Sequence, residues 1–329
     1  MRAQSTAIRL SVAALCVGLL SGLGADTAKA ADYPSKLVRI IVAGAPGGSP
    51  DFLARLFATQ LTEAFGQQVI VENRPGAGGN IGTEQVAKSA PDGYTLMLGS
   101  SFITVSASLY KNLGYDARKD LTPIAQLASV SNVLVVKASS PITSAKGLVA
   151  QAKAESGKLN FGSVGVGTTL HLNGELLKIA TNTQMVHVPF KGWAEAMNAM
   201  LNGETHFMFD STAASIGNIR EKKTRALAVT SLQRDPALPD VPTMAEEGFP
   251  TVDGTAWFGI LAPRGVPADV VQRVETELRK IYDKPETRAA MEKIGLKPDF
   301  MPSQQFSTYF AADIEKWAVP IRAANIVAE

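Results

Sequence analysis

The feature that most constrains this chain is an alternation of apolar, β-branched runs with helix-period segments. "LVRIIVA" (37–43) leads into "PDFLARLFATQLTEAFG" (50–66), where Leu53, Leu56, Phe57, Leu61 and Phe65 recur at helical spacing. "QVIVEN" (68–73) leads into "NIGTEQVAKSA" (80–90), and "PDG" (91–93) turns the chain into "YTLMLGS" (94–100). The pattern restarts at "NVLVVK" (132–137). It continues through helices over 144–156, 168–180, 193–203 and 212–221, and strands over 159–163, 185–188, 206–210 and 224–231. "TAWFGILAP" (255–263) is one more strand. The end reads as helices over 267–283, 285–295 and 303–326, the last kinked or broken at Pro320. Alternation of this kind, twice over, predicts an α/β fold of two lobes, each a mostly parallel sheet flanked by helices.

Three strand-to-helix turns are rich in small residues: "VAGAPGGSPD" (42–51), "ENRPGAGGNIG" (72–82) and "GSVGVGTTLH" (162–171). In open α/β sheets ligands bind beyond the carboxyl ends of the strands, where such turns lie. Backbone N–H groups and helix starts there favour an anion. In the first turn Ser49 and Pro50 fit an N-cap and a first helical residue. A nucleotide site is disfavoured. Gly47-Gly48 is followed by Ser49-Pro50 with no Walker lysine, and "GVGTTL" has Leu170 where a third dinucleotide-loop glycine belongs. A carboxylate is the better fit, since it also accepts backbone N–H bonds and small organic acids are common outside the cytoplasm. For any single loop the plain reading is a tight turn. For three together the reading is a cleft between lobes.

Residues 1–30 read as an export signal. Arg2 and Arg9 precede the short apolar stretch "LSVAALCVGLL", and Ala28-Lys29-Ala30 fits a peptidase site. Cleavage there removes three of 32 basic residues and one of 30 acidic ones, leaving 29 of each. A near-neutral chain gives no reason to expect nucleic acid or an anionic membrane surface as partner. Cys16, the only cysteine, leaves with the signal, so a disulfide, a thiol nucleophile and a thiolate metal site are excluded.

The loops resemble those of the periplasmic solute receptors of tripartite tricarboxylate transporters, the Bug family. The similarity is carried by "PGGSPD" (46–51), "VENRPGAGGNIGTEQVAKSAPDGYTLMLGS" (71–100), "DLTPIA" (120–125), "VGVGTTLHLNGELLK" (164–178), "VHVPFKG" (186–192), "FMFD" (207–210), "RALAVTS" (225–231), "LPDVPTMAEEGFP" (238–250) and "LAPRGVPADVV" (261–271). The resemblance implies a two-lobe periplasmic-binding-protein-like fold with a ligand cleft between lobes and no cofactor. Lobe 1 is expected over 31–132 and 254–329 and lobe 2 over 133–253, with hinges near 130–134 and 252–257. It also implies a periplasmic, monomeric receptor that is not an enzyme and that delivers a small carboxylate to membrane permease subunits.

By the same resemblance, Gly47, Gly48 and Ser49 bind one carboxylate through main-chain N–H groups. Gly78, Gly79 and Asn80 line that lobe. Gly165, Thr168 and Thr169 approach from the other, and Asp210 faces the cleft from a strand end. Asp51, Ser101, His171, Lys191 and Trp193 complete the candidate ligand-binding set. Several have plainer readings. Asp51 favours the dipole of its helix, Asp210 caps the next one, Arg74 pairs with Glu72, Lys191 is solvated and His171 is packed. His187 and His206 lie in buried-looking strands, and the three histidines have no metal-binding spacing.

Two departures from the family pattern bear on specificity. Gly44-Ala45-Pro46 replaces a common aromatic-Pro step, and Phe190-Lys191-Gly192-Trp193 replaces Pro-Tyr-Lys-Gly followed by a small residue. The exchange removes a tyrosine hydroxyl and adds an indole face, which predicts tolerance of bulky or aromatic acids. Two rival classes remain. One is a secreted hydrolase, although G-x-S-x-G is absent. The other is a receptor that serves a sensor kinase instead of a permease.

Overall fold

A computed structural model describes residues 33–328; the expected signal at 1–30 lies outside them. The first half contains β1 (Val38–Val42), α1 (Ser49–Phe65), β2 (Val69–Asn73), a 3-10 turn (Ala77–Gly79), α2 (Asn80–Ala87), β3 (Thr95–Ser100), α3 (Phe102–Leu109) and β4 (Leu121–Val130). The middle contains β5 (Asn132–Lys137), α4 (Ala145–Ala154), β6 (Asn160–Ser163), α5 (Thr169–Thr181), β7 (Val186–Pro189), α6 (Trp193–Asn202), β8 (Phe207–Ser211), α7 (Thr212–Arg220) and β9 (Thr224–Val229). The chain ends with β10 (Ala256–Pro263), α8 (Ala268–Asp283), α9 (Pro285–Lys293), β11 (Lys297–Pro302) and α10 (Ser303–Ala323).

These strands build two sheets, one in the order β11-β4-β10-β3-β1-β2 and one in the order β7-β6-β8-β5-β9. Both are mixed. The βα-alternating parts are parallel: β1 with β2 and β3, and β6 with β7 and β8. The remaining pairings are antiparallel. The expected mostly parallel sheets are therefore diluted by strands at the crossings. β5 starts where β8 finishes, pairing Asn132 with Ser211, and so must run against it.

The chain crosses between the sheets at Ser131 and returns in the segment before β10. The Asn132 side-chain amide donates to the Gly254 carbonyl at 3.0 Å, tying the two passages together. β10 begins beside the end of β3 and the end of β4. Both crossings therefore leave from the carboxyl-end side of the parallel strands, and the glycine loops of both sheets lie at the joined ends.

Local chemistry explains most boundaries. Pro50 occupies the first turn of α1, and Gly66 ends it in a left-handed conformation. β1 is β-branched and buried at four of five positions. Three elements are absent from the sequence reading: α3, β4 and β11. β4 carries Pro123, tolerated because its pairing with β10 shifts register between Ile260 and Leu261, where Pro123 lies opposite. β11 carries Pro298 and Pro302, and its pairing with β4 shifts between Pro298 and Met301. Pro320 does not break α10, which runs on to Ala323. Trp317, Ala318 and Ile321 around it are all buried, and that packing offsets the missing backbone hydrogen bond.

The cores are not confined to their sheets. Val105 and Leu109 of α3 and Trp317 and Ile321 of α10 pack in one buried cluster with Leu134, Phe161, Leu172 and Phe207 of the middle segment.

Candidate functional site at the carboxyl ends of two sheets

In the first loop Gly47 has φ +87°, a conformation side chains avoid. Its N–H donates to Asp51 Oδ2 at 3.0 Å. Arg55 holds the same carboxylate, Nε to Oδ2 at 3.1 Å and a terminal nitrogen at 2.9 Å from Oδ1. The Arg55 hydrogen bond, helped by the Gly47 N–H and Asn73, holds the Asp51 carboxyl down at about 2. Asp51 is thus a loop brace, and the Gly47 N–H is spent on it. The helix cap is Gly48, with Ser49 the first helical residue, which corrects the Ser49 N-cap; no side chain caps α1. The N–H groups of Gly48, Ser49 and Asp51 and the Ser49 hydroxyl have no protein partner among the described residues.

The second loop folds under the first. Gly78 has φ +62°, and a Cβ there would lie 2.7 Å from the Phe102 ring. The Gly79 N–H is taken by the Gly76 carbonyl. Asn80 is buried, and its Oδ1 accepts from the Tyr115 hydroxyl at 2.9 Å, so its amide oxygen is turned inward. Ser101 is also buried and accepts the Trp257 N–H at 2.7 Å, fixing the start of β10. Arg74 pairs with Glu72 at 2.9 Å, the plainer of its readings. Gly44, Pro50, Gly78, Ser100 and Phe102 line a cavity of about 60 Å³, room for about two waters and not for an organic acid.

The third loop is braced by histidines. The Gly167 N–H donates to His171 Nδ1 at 3.1 Å, and Gly165 N–H to Ser163 Oγ at 3.2 Å. His187 Nε2 lies 2.6 Å from Ser163 Oγ. The His171 and His187 rings stack at 3.6 Å between centroids. Burial, and next the neighbouring His171, pushes His187 down to about 4. Thr168 caps α5 by accepting the His171 N–H at 3.3 Å. The Thr169 N–H and hydroxyl and the Val166 N–H have no protein partner among the described residues. His206, expected to be buried, is exposed and bonded to Asn160, because it precedes β8 instead of lying within it.

At the ends of β7 and β8 the structure joins two candidates that the sequence reading kept apart. Trp193 Nε1 donates to Asp210 Oδ2 at 2.9 Å. Asp210 is 0% exposed. The Ser215 hydroxyl donates to its Oδ2 and the Ser211 N–H to its Oδ1, and burial pushes its carboxyl up. It does not cap α7, whose cap is Ser211, and it does not reach the cleft. Trp193 is 38% exposed. Lys191 is exposed; its own N–H donates to Glu195.

The structure thus brings the three loops and Trp193 to the joined ends of the two sheets. It turns Asn80, Ser101 and Asp210 inward. The sequence reading missed the Val166 N–H and the His187–Ser163 brace. A helix histidine followed sixteen residues later by a strand histidine gave no spacing signal, since the two meet only through packing of the helix on the sheet. A larger groove, about 660 Å³, lies apart from these loops between Ser131, Thr212, Arg220, Asp235 and Gly295. Among the described residues no cluster could hold a metal, and no helix is long and apolar enough to cross a membrane.

Two sheets joined by paired crossings, with loops bearing free N–H groups at the joined ends, define a two-lobe solute-binding fold. The sequence profile of the tripartite tricarboxylate transporter family receptor, TctC, matches residues 53–326, and the chain belongs to that family. It is similar to protein BugT of Bordetella pertussis, 34% identical over 93% of both chains. It is similar in structure to a TctC solute binding protein from Polaromonas solved with no ligand, at 28% identity and TM-score 0.80, over 88% of this chain and 99% of that one. It is also similar to Rpa4515 of R. palustris solved with adipate, at 34% identity and TM-score 0.72, over 89% and 98%.

Proposed function

We propose that the protein is a periplasmic receptor that captures a small organic carboxylate by lobe closure and delivers it to the membrane permease of a tripartite transporter. One observation carries the reading. Uncommitted donors stand on the first and third loops: the N–H groups of Gly48, Ser49, Asp51, Val166 and Thr169 and the hydroxyls of Ser49 and Thr169. Such a rim matches an acceptor-only carboxylate. The helix starts at Ser49 and Thr169 add positive potential.

Donors sit on both sheets, so a carboxylate on one attracts the other, and the passages at Ser131 and Gly254 bend. Lobe 1 takes residues 31–132 and 254–329, lobe 2 residues 133–253, and residues 1–30 are the cleaved signal. The Ser–His pair on the third loop, Ser163 with His187, has a serine with no exposed surface whose hydroxyl is tied to the Gly165 backbone, which favours a receptor over a hydrolase. Trp193 offers a flat apolar face to a bulky or aromatic acid.

The test is a thermal-shift screen of the exported protein against mono-, di- and tricarboxylates, aliphatic and aromatic, with sugars as controls. A ligand at about a hundred times its dissociation constant adds roughly 2.7 kcal/mol, a rise of several degrees. A flat screen across all carboxylates, or turnover of the ligand, overturns the proposal. In the same assay Trp193→Ala weakens aromatic acids more than aliphatic ones; equal effects would rule out stacking.

A further inference from the structure

Helix α5 carries a polar side chain that the carboxylate site does not use. Asn173 is 0% exposed, and neither its Oδ1 nor its Nδ2 has a hydrogen-bond partner among the described residues. A buried amide in that condition has given up water without replacement, so a rearrangement that supplies a partner is favoured. The amide lies against the return passage between the two sheets. A Cβ on Gly254 would fall 1.7 Å from Oδ1 and 2.2 Å from Nδ2, so only glycine lets the passage come this close.

Gly254 is itself buried, and its N–H has no protein partner among the described residues. Its carbonyl accepts the Asn132 amide at 3.0 Å and keeps a second lone pair. The Asn173 amide and the Gly254 backbone therefore offer each other a donor and an acceptor apiece, and in this conformation they touch without bonding. A small rotation of the passage is enough to turn that contact into a bond, since N–H···O bonds form at about 3 Å between heavy atoms.

Helix α5 links this contact to the cleft. Thr169, with its free N–H and hydroxyl, starts the helix, and Asn173 stands one turn further along the same face. Beside it, Leu172 packs in one cluster with Leu109 of α3 and Trp317 of α10. A carboxylate that draws on Thr169 pulls on the helix that leans on Gly254.

We infer that Asn173 is a positioning residue for ligand capture: its amide, unpaired in this conformation, bonds the Gly254 passage in the carboxylate-bound one and so favours the bound form. This rests on the carboxylate reading above.

Isothermal titration and thermal melting of the exported protein test it, with adipate, malate, glutarate and phenylpropionate as probes. Asn173→Leu keeps the branched shape and removes both polar atoms. Without ligand it melts several degrees above the wild type, because no unpaired amide is buried. It binds the acids that the wild type binds at least about tenfold more weakly. A residue that only packs would not raise one reading while lowering the other. Asn173→Ala, which adds no volume, shows the same loss of affinity and serves where leucine does not fit. In the wild type the Asn173 side-chain amide resonance, identified by its loss in Asn173→Leu, shifts downfield when the acid is added.

Wild-type affinity in both variants, or an Asn173 resonance that the bound acid leaves in place, overturns the role of Asn173 while leaving the carboxylate reading intact. A ligand-free melting temperature well below wild type in both variants does the same, since the amide would then already be satisfied. Binding of none of the acids by the wild type overturns the carboxylate reading and the role of Asn173 with it.

Discussion

At the scale of single residues the cleft is built by side chains that hold backbone, and the histidine stack under the third loop is the clearest case. His187 faces His171, Glu175 and Lys178, with Ser163 on its Nε2, and it titrates near 4 in the folded protein against about 6.5 when exposed. Above pH 6.5 it is neutral in both states and contributes no pH dependence. Between 6.5 and about 4 the unfolded chain binds a proton that the folded one refuses, so stability falls as pH falls through that window. Urea unfolding at a series of pH values will show this loss, and His187→Phe, which keeps the stack, will flatten the slope. An unchanged slope would place the proton elsewhere. The residues named from sequence divide along the same line. Gly48, Ser49 and Thr169 keep free donors, as a loop at a strand end suggests. Asn80, Ser101 and Asp210 turn inward because Tyr115, Trp257 and Trp193, distant in sequence, supply their partners. Such pairings leave no local pattern to read.

At the scale of elements, helix α5 is set by its approach to β6. A Cβ on Gly174 would lie 2.2 Å from the Phe161 ring, although the position is helical. Helix propensity alone would make Gly174→Ala stabilising by about 1 kcal/mol. The clash reverses the sign, and the variant is expected to lose about 1–3 kcal/mol in denaturant unfolding. A gain in stability would show that Phe161 yields easily. Elements with regular periods and clean punctuation, such as α1 between Pro50 and Gly66, were legible in the sequence. β4 and β11 were not, because proline argues against a strand until the register shift that accommodates it is known. The antiparallel strands were hidden for a related reason: direction within a sheet depends on where a chain enters it.

At the scale of the molecule the two sheets share hydrophobic packing. Val105 and Leu109 of α3 and Trp317 and Ile321 of α10 belong to the cluster that also holds the interior of the five-stranded sheet. Residues 132–254 expressed alone would expose that surface. They are expected to show no cooperative thermal transition and poor dispersion in a proton–nitrogen correlation spectrum. A sharp transition near that of the whole protein would mean that the middle segment is self-sufficient. The shared packing also sets an order in time. α10 is the last helix of the chain, so the five-stranded sheet waits for its own interior until residues 303–323 have been synthesised. The middle segment cannot complete its own interior until that helix has left the ribosome.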